Sequence, residues 1–327
     1  MDKYYIGIDL GGTNIKGSIF NKNLDVIYEQ RLSTEADKGS EHVLNRIYKL
    51  VSIMLNNSGL ANTDIACMGI GVPGLLNINE GISIFSPNFS DWENVPVVKW
   101  FKEKLHIPVF IDNDVRVNLY GEWYFGAGKG SKNVVLLTLG TGLGSGIVMD
   151  GHVLYGATGS AGEIGHMNMY REGRPCKCGS SGCLGRYVSA LGMLYTLKEK
   201  IKSGHYSIIC EWVHGSLSEI TAKMVSEAYD LGDKVAIETL HETGEILGFG
   251  LVNIINLYNP EIIIIGGGMA AAGERLLERS RKTINNHALK ISNEKCTITT
   301  ALLGDAAGMV GAALYAKQKL EHNHKLS

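Results

Sequence analysis

Residues 4–20, YYIGIDLGGTNIKGSIF, decide the fold. Tyr4 to Ile8 is a short run rich in β-formers, and Ile15 to Phe20 is a second. Between them lie Asp9, Leu10, Gly11, Gly12, Thr13 and Asn14. Strand, glycine turn, strand is a β-hairpin signal. Glycines let backbone N–H groups converge on an anion, and Thr13 adds a hydroxyl donor. An aspartate at the strand end can hold Mg²⁺, directly or through water, beside phosphates. A plain hairpin in which Asp9 caps its own turn is the bland alternative.

The pattern recurs. Val134 to Leu139 is an apolar run, followed by Gly140-Thr141-Gly142-Leu143-Gly144-Ser145-Gly146 and then Ile147 to Gly151. Superposing Asp9 on Thr138 brings Gly11 onto Gly140, Gly17 onto Gly146 and Ile19 onto Val148. Two such units in register predict a duplicated domain, and two phosphate-cradling turns facing each other would make a nucleotide cleft. Neither is a Walker A loop, since the chain has no G-x-x-x-x-G-K-[ST], and neither runs directly into a helix as a dinucleotide fingerprint requires.

Residues 160–189, SAGEIGHMNMYREGRPCKCGSSGCLGRYVS, hold a second kind of chemistry. Cys176, Cys178, Cys183 and His166 make a complete tetrahedral set for a structural Zn²⁺. Half of the six cysteines fall in this turn-rich knuckle, which also holds Gly173, Pro175, Gly179 and Gly182. A C-x-C pair is too tight for an ordinary disulfide, and no secretory signal points to an oxidising compartment. Glu163 and His166, three apart, lie on one side of a helical turn. A clamped imidazole would therefore hold the Glu163 carboxylate towards a ligand. Cys67, Cys210 and Cys296 read as core thiols.

At 327 residues, two domains are expected. The N-terminal domain is placed at residues 1–117, with the last helix, about 305–327, packing back on it. The C-terminal domain, residues 118–304, carries the knuckle and the oligomer interface. Hydrophobic content of 45% and charged content of 20% describe an ordinary globular chain. A net charge of −2 argues against nucleic acid or an anionic membrane as a general partner. The N-terminus lacks a signal-peptide apolar core, and no apolar run reaches membrane-spanning length, so a cytoplasmic location is expected.

Between the hairpins, residues 40–58 have helical periodicity and residues 66–72 read as a buried strand. Residues 92–105 read as an amphipathic helix, 109–111 as a strand and 115–125 as a helix. Asp112 and Asp114 fall where open α/β sheets build their sites, past a strand's C-terminal end. One of the two can cap the helix, leaving the other for chemistry. Beyond the knuckle, residues 187–201, 216–231 and 234–257 read as helices. Residues 261–265 and 297–302 read as strands, and 305–320 as a last helix. Gly266-Gly267-Gly268 would let adenine or ribose approach the backbone, with a plain tight turn as the bland alternative.

Asp9-Leu10-Gly11-Gly12-Thr13, the Gly140-to-Gly146 turn, Glu163-Ile164-Gly165-His166 and C-K-C-G-S-S-G-C together resemble the ROK family of repressors, open reading frames and kinases. The resemblance runs from Ile6 to about Ala316, and the cysteine motif with its upstream E-x-G-H is its most specific part. It implies a two-domain α/β fold similar to hexokinase and actin, related to ribonuclease H. It also implies ATP-dependent phosphorylation of a hexose or N-acetylhexosamine, most often at the 6-hydroxyl, by a homodimer or homotetramer. On this resemblance Asp114, after Asn113, maps onto the general base. Sugar contacts map onto Gly71, Asn88, Asn113, Asp114, Glu163 and His166. Phosphate contacts map onto Asp9, Gly11, Gly12, Thr13 and Lys16 in the first hairpin and Thr141 and Gly142 in the second, with Gly266 and Gly267 near the nucleoside. Zn²⁺ maps onto His166, Cys176, Cys178 and Cys183, and Mg²⁺ accompanies ATP near Asp9. One departure stands out: where family kinases usually carry Glu two residues after the last cysteine, this chain has Gly185. Losing a carboxylate–hydroxyl bond of roughly 1.5 to 3 kcal/mol weakens sugar binding about tenfold to a hundredfold, or changes the sugar. Allose, fructose, N-acetylmannosamine or N-acetylglucosamine kinases, and a non-catalytic sugar sensor, are the alternatives. Family repressors carry a helix-turn-helix domain before the first hairpin, for which this sequence is expected to leave no room.

Overall fold

The computed structural model describes residues 3 to 326. The chain forms two compact units, Met1–Gly130 with Leu154–Ala161 and Leu302–Ser327, and Ser131–Val153 with Gly162–Ala301.

The first unit contains β1 (Tyr4–Leu10), β2 (Asn14–Phe20), β3 (Val26–Ser33), α1 (Ser40–Ser58), β4 (Ile65–Val72) and β5 (Leu75–Asn77). It continues with β6 (Ile82–Phe85), β7 (Glu93–Val95), α2 (Val97–Leu105), β8 (Val109–Asn113) and α3 (Asp114–Tyr124). The C-terminal helix, Ala306–Leu326, completes it. Its main sheet runs in the order β3-β2-β1-β4-β8, while β5, β6 and β7 form a small separate sheet. Helix α1 buries Val43, Ile47, Leu50, Val51 and Met54, the stripe its 3.6-residue period dictates, and stops at Gly59 in the left-handed conformation. The C-terminal helix lies so close to the sheet that a Cβ on Gly7 or Gly69 would sit 1.9 Å from the Met309 or Ala312 carbonyl oxygen. Glycine at both places is what admits it.

The second unit contains β9 (Val134–Leu139), β10 (Leu143–Met149), β11 (His152–Val153), α4 (Gly185–Val188), α5 (Ala190–Lys202) and α6 (Ile209–Trp212). Then follow α7 (Ala222–Asp230), α8 (Lys234–Tyr258), β12 (Ile262–Gly266), α9 (Glu274–His287), α10 (Lys290–Asn293) and β13 (Thr297–Thr300). Its sheet runs β11-β10-β9-β12-β13. In each unit the first strand pairs antiparallel with the second and parallel with the fourth. The duplication expected from the hairpins is thus a duplication of sheet topology.

The superposition needs one correction. Lys16 pairs with Asp9, whereas Gly144 pairs with Thr138, so Gly17 is the counterpart of Ser145 and not of Gly146. The second turn is one residue shorter, and a one-residue slip moves every following side chain to the other face. Three expected helices also differ. Residues 93–95 are a strand, and α2 begins only after Pro96. The 187–201 segment is broken at Ser189, whose hydroxyl caps α5 by accepting from Gly192 N–H. Residues 216–231 hold a short 3₁₀ turn and then α7, capped by Thr221. No helix among the described residues is long and apolar enough to cross a membrane.

Candidate active site

In the first unit, strand register gathers the polar groups. Arg31, Lys16, Asp9, Gly71 and Asp112 are successive partners across β3, β2, β1, β4 and β8. Registered residues share a face of the pleat, so one row of charges crosses the sheet near the C-terminal ends of β1, β4 and β8. Asp9 is half-buried, and a Cβ on Gly308 of the C-terminal helix would fall 2.7 Å from its Cγ. Burial pushes its carboxyl up to about 7; nearby Asp114 adds to this and Lys16 opposes it. Lys16 Nζ lies 2.7 Å from Asp305 Oδ1, and that hydrogen bond holds the Asp305 carboxyl below its ordinary range. The turn between β1 and β2 is closed by Gly11 N–H donating to the Asn14 carbonyl at 3.0 Å. Gly12 and Thr13 remain exposed at its tip. Asn88 lies beside Gly12, and the two line a cleft of about 550 Å³ with Thr13, Glu35 and Ser90.

At the end of β8 the three polar residues divide the work differently from expectation. Neither aspartate caps α3. Asn113 is the cap, its Oδ1 accepting from Val115 N–H at 3.0 Å and Arg116 N–H at 3.4 Å, while its Nδ2 donates to Gly74 O at 3.3 Å. Asp112 is 0% exposed and takes bonds from Arg116 Nε at 2.6 Å, Asn113 N–H at 2.7 Å and Tyr155 OH at 2.7 Å. It is consumed by structure. Asp114 opens α3, half-buried, with the side chain of Asn118 donating to its carbonyl at 2.8 Å.

In the second unit, Gly140 N–H donates to Gly142 O at 2.9 Å, and Ala190 N–H, at the start of α5, donates to Gly140 O at 2.9 Å. Thr141 is exposed at this turn. Gly266 ends β12 in register with Thr138, so the glycine run after β12 stands beside the second hairpin. Gly267 has φ +79° and is exposed. The Ser145 hydroxyl donates to Gly162 O and accepts from Ile164 N–H, tying the Glu163 segment to β10. Glu163 and His166 are both exposed, at the two ends of a 3₁₀ turn.

The knuckle gathers its four ligand atoms. The donor atoms of His166, Cys176, Cys178 and Cys183 all lie within 4.8 Å of one another. Cys178 Sγ is 3.7 Å from Cys183 Sγ, and Cys176 Sγ is 3.6 Å from His166 Nδ1. Tetrahedral Zn²⁺ with its usual bond lengths requires about 3.8 Å between two sulfurs and about 3.6 Å between sulfur and nitrogen. The donors fit. Gly182 has φ +72°, and a Cβ there would meet Tyr170 O at 1.8 Å, so the turn before Cys183 requires glycine. Arg174, which no sequence signal singled out, anchors the knuckle. Its guanidinium donates to Arg186 O, Gly192 O, Thr196 Oγ1 and Glu199, and stacks over Tyr187 and Tyr195.

A profile of the ROK family matches residues 5–319. The chain belongs to the ROK family. Among similar proteins, a glucokinase of Halalkalibacterium halodurans is 33% identical, covering 97% of this chain and 96% of its own. A xylose repressor of Caldicellulosiruptor bescii is 31% identical over 94% of this chain and 76% of its own length. The crystal structure of a ROK family glucokinase from Streptomyces griseus, in complex with glucose and AMPPNP, is 30% identical. It superposes with a TM-score of 0.81 and covers 96% of this chain and 99% of that one. The α/β fold read from the hairpins is therefore the ROK fold.

Asp305 and Arg116 were also missed at the sequence level. Arg116 stands four residues after Asp112, but Asp112 lies in β8 and not on α3, so the helical ion-pair spacing does not flag the pair. Asp305 carries no signal either.

Proposed function

We propose that this protein is an ATP-dependent sugar kinase that transfers the γ-phosphate to a hexose, glucose first among them, at its 6-hydroxyl. The observation that carries the reading is the placement of Asp114 on the first turn of α3, where a Cβ on Gly71, the register partner of Asp9, would lie 3.5 Å from Asp114 Cα. An acid–base carboxylate beside a glycine hairpin with Lys16 is what phosphoryl transfer uses, because that reaction needs alignment and charge neutralisation more than covalent chemistry. The glucokinase relatives and the glucose–AMPPNP complex of a ROK neighbour support it.

In this reading Asp114 accepts the proton of the attacking hydroxyl, a role worth about 10²- to 10⁴-fold. Gly11, Gly12, Thr13, Lys16, Thr141 and Gly142 bind phosphate oxygens; Gly266 and Gly267 lie against the nucleoside. Gly71, Asn88, Asn113, Glu163 and His166 receive the sugar. Asn113 also positions Asp114 by capping α3. Asp9, whose proton affinity is raised by burial and neighbouring acid groups, is the residue to hold the Mg²⁺ that accompanies ATP and neutralises phosphate charge. His166, Cys176, Cys178 and Cys183 hold Zn²⁺ as a closed structural site with no position for water, so the metal braces Glu163 and activates nothing. We assign the protein to the cytoplasm, as a homodimer or homotetramer.

Because Gly185 replaces the glutamate expected in ROK kinases, a sugar differing from glucose at carbons 1 and 2 is the second reading, and a sugar sensor without transfer is the third. A panel of glucose, mannose, allose, fructose, N-acetylmannosamine and N-acetylglucosamine with ATP, followed by coupled ADP release, tests all three. ADP release with glucose is expected. Release only with another sugar moves the assignment to that sugar, and binding without ADP release sinks the kinase reading.

A further inference from the structure

Helix α3 carries Asp114 on its first turn and two buried charged side chains further along. Arg116, 6% exposed, donates from Nε to Asp112 Oδ1 at 2.6 Å and from Nη1 to Gly159 O at 2.7 Å. Its guanidinium carbon lies 5.0 Å from the centre of the Tyr155 ring, and Tyr155 donates to Asp112 Oδ2 at 2.7 Å. The Tyr155 hydroxyl also lies 3.2 Å from that of Tyr120, on the same helix. Near the other end of α3, Glu122 is 1% exposed. Its carboxylate accepts from Ala127 N–H at 2.9 Å, Leu302 N–H at 3.1 Å and Leu303 N–H at 2.7 Å.

The partners of these two side chains have one property in common. In sequence, the chain leaves or re-enters the first unit after Gly130, at Leu154, after Ala161 and at Leu302. Ala127, Tyr155, Gly159 and Leu302 stand at those places or within a few residues of them. All of these contacts lie inside the first unit. Burying a guanidinium and two carboxylates costs several kcal/mol of desolvation per ion, recovered only when each is fully bonded. Apolar packing would fix a helix at lower cost, whereas directed bonds to backbone groups fix it in position. The 154–161 segment has no regular structure, and Gly156 and Gly159 have φ of +67° and +77°. Arg116 and Tyr155 therefore add to the order that the Ala161 N–H bond to Tyr155 O, 3.0 Å, gives this segment.

We propose that Arg116 and Glu122 are positioning residues that hold α3, and with it Asp114, to every stretch by which the chain passes out of the first unit. The catalytic part of this inference rests on the kinase reading; the fastening itself does not. Four residues past Gly159 the chain reaches Glu163, so the same strap that Arg116 pins also leads to a proposed sugar contact.

Arg116→Lys and Glu122→Gln test it in the full-length protein. Lysine keeps a charge for Asp112 but cannot reach Gly159 O at the same time, and glutamine turns an amide N–H₂ towards N–H donors. With the best sugar of the panel, kcat should fall about tenfold or more while KM for ATP and for sugar stay within roughly twofold. Amide hydrogen exchange should speed up about tenfold or more at residues 155–161 in Arg116→Lys and at 127–128 and 302–303 in Glu122→Gln, with β1 and β4 unchanged. Wild-type kcat in either variant would overturn the positioning role, as would KM rising in step with a fall in Tm, the mark of plain destabilisation. A wild type inactive on every sugar would sink the kinase reading and the catalytic half of this one. Exchange would then still decide the fastening, and unchanged rates at those amides would remove it.

Discussion

Lys16 Nζ lies 2.7 Å from Asp305 Oδ1, joining the first glycine hairpin to the start of the C-terminal helix. Lys16 is 20% exposed and Asp305 76% exposed, so the pair belongs to the weak surface class, worth about 0 to 1 kcal/mol. Lys16 should matter far more than its partner. If Lys16 binds phosphate as proposed, Lys16→Met is expected to raise the KM for ATP about tenfold or more, whereas Asp305→Asn should change it less than about threefold. Steady-state ADP release against ATP concentration distinguishes them, and equal effects would mean that Lys16 acts through the ion pair alone.

Asp114→Asn keeps the size of the side chain and removes the carboxylate proposed as the proton acceptor. Turnover should fall about 10²- to 10⁴-fold, with Tm and zinc content at wild-type values. Retained turnover would remove Asp114 from the base role.

Asp9 makes a prediction about pH in the ligand-free protein. Its carboxyl is pushed up to about 7, while an unfolded aspartate titrates near 3.9. Between about pH 4 and pH 7 the native state holds a proton that the unfolded chain has lost, so stability falls as pH rises through that window and is level above it. The whole difference is worth up to about 4 kcal/mol, and nearer ~2 kcal/mol with partial solvent access. Asp9→Asn should abolish this slope and be more stable than wild type at about pH 8. Denaturant midpoints across the window check it, and parallel curves for the two proteins would refute it.

On the proposed zinc site, Cys178→Ser should lower zinc content, measured by elemental mass spectrometry, and soften the knuckle that carries His166. The expected kinetic signature is a rise in the KM for sugar exceeding that for ATP. Full activity in a metal-free protein would show that the four ligand atoms are gathered for another reason.

Gly185→Glu sets two effects against each other. A Cβ at this position would lie 3.2 Å from Gly165 O and 3.3 Å from Leu143 Cβ, a tight fit that should cost about 1 to 2 kcal/mol of stability. A carboxylate reaching sugar hydroxyls should contribute roughly 1.5 to 3 kcal/mol to binding. Tm should therefore fall by a few degrees while the KM for glucose drops about tenfold. An unchanged sugar preference across the panel would separate this position from specificity.

The two hairpins, the gathering of the knuckle's three thiols and one imidazole, and the strand–helix step at Asp114 could be read from the chain alone. Each depends on residues close together in sequence: glycines at a turn, thiols and an imidazole in one knuckle, a carboxylate at a strand end. Such local chemistry survives whatever the rest of the molecule does. The assignments that failed were those in which a distant partner competes. Asp112 looked available until Tyr155, 43 residues further on, donated to it, and the hairpin superposition slipped because ladder pairing, not glycine matching, sets register. Asp305 beside Lys16, Glu122 on Leu302 and Leu303, and Arg174 under the knuckle arise from packing between elements far apart in the chain. Those meetings depend on strand order and helix approach, which are properties of the folded whole, and no short-range pattern of residue types encodes them.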